Sequence, residues 1–354
     1  MRVAIVCDWF LKYSIRQAIG LRHQNVGVLL LCRDHAHEFG GFTHERDALL
    51  DEARAEGVEI LTLAGRIGSV VRFAQTARLR RRLRRWRPDI VHAHENTDPA
   101  LLAVCAGIPR VITVHDPSPH PGAPTRSLAR RAVSGLWVRG ATLVAHSECL
   151  VEELARRYAG ADISVIPHGS DVVSEPYRRP KYPRVLFFGR MERYKGLAVL
   201  LEAMNRVWRD RPDAQLAISG VGPESRALPA DPRILATDRY VREVELDSMF
   251  RQSSLVVLPY VQASQSGVGA LAVGRGVPVV VSRAGALPDL VSSPGLVVPP
   301  GDPTALAAAI LTNLDHDDEL RRQVWLRARD EFAWDVVAAR SVDVYEHVLG
   351  RSKR

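Results

Sequence analysis

Phe187-Phe188-Gly189-Arg190-Met191-Glu192-Arg193-Tyr194-Lys195-Gly196 reads as the end of a buried strand, a loop and the entry to a helix. The apolar run Arg184–Phe188 stops at Gly189, where a backbone without a Cβ can approach a ligand closely. Leu197–Val207 then repeats its apolar residues at helical spacing. Arg190 and Lys195 therefore fall on a strand-to-helix loop. A helix N-terminus flanked by a guanidinium and an ammonium suits a diphosphate. Two solvated surface cations are the plainer reading of the same residues.

The alternation of short apolar runs with longer helical segments extends both ways from this stretch and marks βαβ units around parallel sheets. Before it, strands are expected at Arg2–Cys7, Gly27–Cys32, Val58–Leu63, Asp89–Ala93, Arg110–Val114, Thr142–Ala145 and Ser164–Ile166. Helices are expected near Ser14–Arg22, Arg46–Glu56 and Ser69–Trp86, and from Pro99. After it, Gln215–Ser219, Ile234–Ala236, Leu255–Leu258, Pro278–Val281 and Gly295–Val298 read as strands. Ser174–Tyr182 crowds Ser, Glu, Pro, Tyr and Arg together and reads as a linker. At 354 residues the chain exceeds what one core usually supports. The expectation is an α/β protein of two doubly wound parallel-sheet domains, residues 1–173 and 183–330, joined by 174–182. Residues 331–354 come last, with a helix over Trp334–Val348 that has an apolar stripe to bury. Ligands of open parallel sheets sit outside the carboxyl ends of the strands, so the two domains are expected to face each other across a cleft.

Composition narrows the function classes. With 46% hydrophobic and 25% charged residues the chain is neither disordered, collagen-like nor a disulfide scaffold. Of its 48 basic residues only Lys12, Lys181, Lys195 and Lys353 are lysines, against 40 acids. A bias so uniform does not argue for nucleic acid. The widely spaced Cys7, Cys32, Cys105 and Cys149, with no signal-like or membrane-spanning run, point to the cytoplasm. Between Arg72 and Arg87 lie eight arginines and no acid, with Leu79, Leu83 and Trp86 at helical spacing. That pattern fits a helix lying on an anionic membrane surface, which would make the chain peripheral on the inner face. It also fits an ordinary amphipathic helix with a solvated basic face. No helix-turn-helix, zinc or stacking motif accompanies it, so nucleic acid is not expected.

Four further motifs carry chemistry. In Thr113-Val114-His115-Asp116-Pro117, a histidine and an aspartate stand at the carboxyl end of a strand, where an imidazole can donate to a hydroxyl or steady developing charge. His35-Ala36-His37 and His92-Ala93-His94 place two rings on one strand face, but neither has a third ligand at zinc-like spacing, and no metal is expected. Ser219-Gly220-Val221-Gly222-Pro223-Glu224-Ser225 resembles half of a dinucleotide fingerprint; Ser225 replaces the third glycine and Pro223 cuts the helix entry. Gln262-Ala263-Ser264-Gln265-Ser266-Gly267 precedes a helix, offering backbone N–H groups and hydroxyls to an anion or sugar, or simply an N-cap.

Taken together the motifs resemble the family-4 retaining glycosyltransferases of the GT-B fold. The resemblance rests on Asp89–His94, Thr113–Pro117, Ile166-Pro167-His168-Gly169-Ser170-Asp171, Phe188–Gly196, Gly276-Val277-Pro278-Val279-Val280 and Gly301-Asp302-Pro303. It implies that Arg190 and Lys195 bind the diphosphate of a UDP- or GDP-sugar, that Gly189 lies beside it, and that His115 contacts the donor sugar. Ser264, Gln265, Ser266 and Gly267 would touch sugar hydroxyls, and Tyr240 and Val241 would lie near the base. Asp8, His94 and Asp116 are the acceptor-side candidates, the acceptor being a glycan or a lipid-linked precursor. The family generally needs no metal, so no cofactor is expected. Two departures stand out. The spaced glutamates that usually precede Gly-x-Pro-Val-Val fall at Ala263 and Leu271, and a glycine-rich turn after the first strand is replaced by Asp8-Trp9-Phe10-Leu11-Lys12. A degenerate protein that binds a sugar nucleotide or a partner without turnover is the alternative. A nicotinamide dehydrogenase, resting on Gly220–Ser225, is a third class.

Overall fold

The computed structural model describes residues 1–33, 37–64, 70–94, 98–117 and 128–352. His35, the start of the expected helix at Ser69 and the proline-rich stretch from Ser118 lie outside the described residues. The chain divides into two compact units. The first takes the residues up to Gly169 together with those from Trp334 onward, and the second takes Ser170–Ala333.

The first unit runs β1 (Arg2–Cys7), α1 (Leu11–His23), β2 (Gly27–Arg33), α2 (Thr43–Ala55), β3 (Glu59–Leu63), α3 (Val70–Trp86), β4 (Ile90–His94), α4 (Pro99–Cys105), β5 (Arg110–Thr113), α5 (Leu128–Val138), β6 (Thr142–Ala145), α6 (Val151–Arg157) and β7 (Asp162–Val165). Its seven strands lie in the order β3-β2-β1-β4-β5-β6-β7, all parallel. β1 and β4 are fully buried over Val3–Cys7 and Ile90–His94, as central strands covered on both faces must be. Asp98 caps α4 by accepting from Ala100 N–H, with Pro99 in the first turn.

The second unit runs β8 (Arg184–Phe188), α7 (Leu197–Asp210), β9 (Gln215–Gly220), β10 (Ile234–Asp238), α8 (Glu243–Arg251), β11 (Leu255–Leu258), α9 (Gly267–Gly274), β12 (Val279–Ser282), β13 (Val297–Val298), α10 (Pro303–Asn313) and α11 (Asp318–Glu331). Its six parallel strands lie in the order β10-β9-β8-β11-β12-β13. Each sheet reverses its winding direction beside its first strand, between β1 and β4 and between β8 and β11. Those are the points where open α/β sheets receive ligands.

The closing helix α12 (Trp334–Ser352) belongs to the first unit. Val337, Ala338, Ser341 and Tyr345 form its buried stripe, and Val337, Ala338 and Tyr345 join the core built from β1, β2 and α1. Gly20 of α1 is what lets the two helices meet, since a Cβ there would stand 2.7 Å from the Trp334 carbonyl oxygen. The stretch 174–182, polar enough to read as a linker, is bound to the second unit instead: Tyr177 is buried in its core and its N–H donates to the Arg275 carbonyl. Arg179 adds bonds to Asp315 and Asp318, and the Tyr177 and Tyr182 carbonyls accept from Arg321 and Ser254, so a segment whose composition suggested freedom is held along its length.

Candidate functional site

In the second unit the chemistry gathers at the carboxyl edge of the sheet. After β8, Gly189 leads into Arg190, whose side chain is exposed and donates through Nη2 to the Tyr194 hydroxyl at 3.1 Å. Lys195 ends a single tight turn, and Gly196 comes next with φ 72°. No other residue fits there, because a Cβ would lie 1.9 Å from the Pro259 carbonyl oxygen. That close approach brings Lys195 Nζ to 3.8 Å from the centre of the Tyr260 ring. Tyr260 Oη lies 3.3 Å from Ser266 Oγ, and Ser266 accepts from Gly269 N–H, capping α9. Lys195, Tyr260, Ser266 and the amino end of α9 thus form one continuous assembly. Neither Lys195 nor Arg190 has a carboxylate partner among the described residues. Beside them Gln265 Oε1 is shut off from solvent and accepts no hydrogen bond. Ser264 is buried, its carbonyl held by Ala286 N–H at 3.1 Å.

Other residues singled out from the sequence are placed differently. Val241 packs its side chain into the core with Leu246 and Phe250, leaving half-buried Tyr240 as its polar neighbour. Leu271 packs against the same core and Ala263 beside it, so the two positions where the family carries acids are apolar in fact as well as in sequence. Gly220 and Gly222 fold back onto the Gly189–Met191 loop: Met191 N–H donates to Val221 O, Glu224 N–H to Met191 O, and a Cβ on Gly220 would stand 1.8 Å from Gly189 O. After Gly222 the chain makes only a short 3-10 turn, Pro223–Ala227, not the long helix a dinucleotide fingerprint opens.

In the first unit, strands β4, β5, β6 and β7 each run into a histidine at the same edge: His94, His115, His146 and His168. Because the four strands are neighbours, the rings form a row. His94 Nδ1 lies 3.1 Å from His115 Nε2, His115 Nδ1 lies 3.0 Å from His146 Nε2, and His146 Nδ1 lies 3.0 Å from the Ile166 carbonyl oxygen. At the other end His94 Nε2 meets the Gln17 side-chain amide at 2.9 Å. His92, one pleat before His94, is held by Thr113 Oγ1 at 2.7 Å and Tyr345 Oη at 2.6 Å. Phe10 stacks on His115 with centroids 3.9 Å apart, and the Tyr13 ring stands edge-on to His94, His115, His168 and Trp334. His115 is therefore buried with both ring nitrogens engaged. Asp8 and Asp116 are half-buried next to the row.

Burial sets the charge of this row. Desolvation disfavours the imidazolium, pushing His92 and His146 down to about 3 and His168 down to about 4. His94 and His115 are driven well below the ordinary histidine value by the same burial, reinforced by their histidine neighbours. The bulky turn after β1 has its own consequence. Phe10 takes φ 64°, a left-handed conformation usually left to glycine, and the Glu38 carboxylate accepts from the Leu11 and Lys12 N–H groups at 2.7 and 3.1 Å. Sequence reasoning picks out His94 and His115 but not His146 or His168. The signal was available: four consecutive parallel strands, each with the same residue type just past its carboxyl end.

Two parallel sheets in these orders make up the two-sheet GT-B architecture. Residues 15–173 match the family described as Glycosyltransferase Family 4, and residues 182–316 match Glycosyl transferases group 1. Among curated relatives, glycogen synthase of Mycobacterium tuberculosis is 31% identical over 287 residues, covering 74% of this chain and 69% of that protein. Phosphatidyl-myo-inositol mannosyltransferase of Mycobacterium leprae is 31% identical, covering 79% of this chain and 80% of that protein. Among solved structures, the Anabaena protein HepE in complex with UDP-glucose superposes with a TM-score of 0.71 at 17% identity, covering 98% of this chain and all of that one. The chain belongs to this glycosyltransferase family and is a glycosyltransferase.

Proposed function

We propose that this glycosyltransferase retains configuration as it moves a sugar from a UDP-sugar to a hydroxyl of a glycan or lipid-linked acceptor. The observation that carries the reading is the pair Arg190 and Lys195, without a carboxylate partner among the described residues, beside the capped amino end of α9. In the reaction the bond from the anomeric carbon to the diphosphate breaks, and negative charge grows on the departing oxygen. Two cations and a helix N-terminus would stabilise that charge. The acceptor hydroxyl adds to the face that the diphosphate leaves, and its proton passes to the departing phosphate oxygen. Gln265 Oε1, buried without a donor, is suited to accept from a sugar hydroxyl. UDP is favoured over GDP because the HepE structure holds UDP-glucose. The lipid-linked option draws on the name of the mannosyltransferase relative and on the exposed arginines of α3, which would hold the enzyme peripherally at an anionic membrane.

Thermal shift and product analysis test this. UDP at a hundred times its Kd should stabilise the protein by about 2.7 kcal/mol, while GDP at the same concentration should shift it less. An α-configured donor should give an α-linked product by NMR. A β-linked product would remove the retaining mechanism, and a larger shift with GDP would reverse the choice of base.

A further inference from the structure

The row of histidines poses a question of proton counting. Between the Ile166 carbonyl and the Gln17 amide there are four contacts: Ile166 with His146, His146 with His115, His115 with His94, and His94 with Gln17. Each contact needs one proton. A neutral imidazole carries one N–H and one bare nitrogen, so three neutral rings supply three protons. The rings are buried with no carboxylate bonded to them among the described residues, and burial keeps them neutral. A carbonyl cannot donate. The fourth proton therefore comes from the only other end of the row, the Gln17 amide.

This fixes the direction of every bond. His146 must donate through Nδ1 to Ile166 O, so its Nε2 is bare and accepts from His115 Nδ1–H. His115 Nε2 is then bare and accepts from His94 Nδ1–H. His94 Nε2 accepts in turn from the Gln17 amide nitrogen, so the amide stands with its oxygen and nitrogen exchanged relative to the assignment that places Oε1 against His94. In that orientation the amide oxygen faces His92 Nδ1 at 3.3 Å. His92 satisfies it with an Nδ1–H shared with Tyr345 Oη, while its Nε2 accepts from the Thr113 hydroxyl. Ser341 offers no competing proton, because its hydroxyl donates to Val337 O at 2.8 Å.

We propose that Gln17, His94 and His146 are positioning residues that fix His115 as its Nδ1–H tautomer, with a bare Nε2 that accepts from His94 and, on ligand binding, from a sugar hydroxyl. The ligand half of this statement rests on the sugar-transfer reading; the tautomer half does not. His146 holds the donating edge of His115 away from any ligand, and Phe10, stacked on the ring, prevents it from rotating to exchange its nitrogens. His94 Nδ1–H is the group that a ligand hydroxyl replaces. His115 would thus read a hydroxyl as a donor, and an analogue with fluorine in its place would lose that contact.

Nitrogen NMR of the full chain with 15N-labelled histidine, recorded near neutral pH without substrate, tests the tautomers. His92, His94, His115 and His146 should all show a protonated Nδ1 and a bare Nε2, the form that is the minor one for histidine free in water. Protonated Nε2 on His94 or His115 would overturn the proposal. Gln17→Glu supplies a second reading. An ionised carboxylate cannot donate, so His94 should gain a proton on Nε2, either as an imidazolium that keeps its Nδ1–H or as a neutral ring with the pattern of His115 reversed. A His94 Nε2 that stays bare would also overturn the proposal, and if the variant does not fold the wild-type spectrum decides alone. Failure of the sugar-transfer reading would show itself elsewhere, as loss of UDP binding with the tautomers as assigned.

Discussion

A single lysine stands at the carboxyl edge of the second sheet in a chain with only three others against its many arginines, and its surroundings suit the choice. Nζ sits 3.8 Å from the centre of the Tyr260 ring and 5.3 Å from that of Tyr194. A compact ammonium on a flexible stem can leave those rings to meet a phosphate oxygen, where a planar guanidinium would stay stacked. Lys195→Ala removes the ammonium and leaves the Gly196 turn and the Ser266 cap in place. Transfer should fall at least tenfold, about 1.4 kcal/mol in the barrier, with unchanged thermal stability. Wild-type turnover by that variant would show that Arg190 and α9 alone carry the charge. At this scale the sequence was informative where a residue's position on a strand end fixed its surroundings, as for Arg190, Lys195 and Ser266. It was silent where several strands had to be laid side by side. Nothing local says that His94, His115 and His146 share protons.

Helices and strands were read from periodicity, and β1, β6, β8 and β11 have the limits their apolar runs predict. Helices α1, α2, α7 and α12 start earlier or end later than apolar spacing suggests, because terminal turns carry polar residues that periodicity ignores. α1 begins at Leu11, with Glu38 holding its first N–H groups from a distant part of the chain. The basic helix α3 shows what pattern cannot decide. Its apolar positions Leu79 and Leu83 are buried in the first unit, and Arg72 is buried in an ion pair with Asp98. The stripe that could have entered a membrane is therefore committed to the protein. Phe73 remains 79% exposed, and Arg78, Arg81, Arg82, Arg84 and Arg85 are exposed along the same helix. Membrane attachment through α3 would then be mainly electrostatic, at about 1 kcal/mol per arginine near an anionic surface. Vesicles containing anionic lipid should sediment the wild type at low salt. Neutralising Arg81, Arg82, Arg84 and Arg85 together should abolish this, as should raised salt. Equal sedimentation of the two proteins would mean that the face is merely solvated.

The two units divide the titratable groups of the molecule unequally, and that sets how the whole chain meets acid. The first unit holds buried His92, His94, His115 and His146 with half-buried His168 beside them, all neutral when folded. Their folded values lie below the ordinary 6.5, so the unfolded chain binds more protons in between. Their contribution is complete above about pH 6.5 and is lost as pH falls from there toward 3 to 4. His92, His146 and His168 withdraw on the order of 1 kcal/mol each between about pH 8 and pH 5.5, a sizeable part of the roughly 5–15 kcal/mol that holds a typical domain. His23, raised by its bond to Asp335, opposes this weakly because it is mostly exposed. In the second unit the shifted carboxylates, among them Asp213, Asp231, Glu245 and Asp247, lie below their usual values and are lost only in stronger acid. Only His316 there behaves like the buried row among the described residues. Hydrogen exchange near pH 5.5 should therefore show β4–β7 opening while β8, β11 and β12 stay protected, and at pH 7.5 both sheets should be protected. The sign is specific to burial: ion-paired histidines would make the first unit firmer in mild acid. Parallel loss of protection in the two sheets at pH 5.5 would mean that the histidine row does not govern acid stability and that the two units open as one.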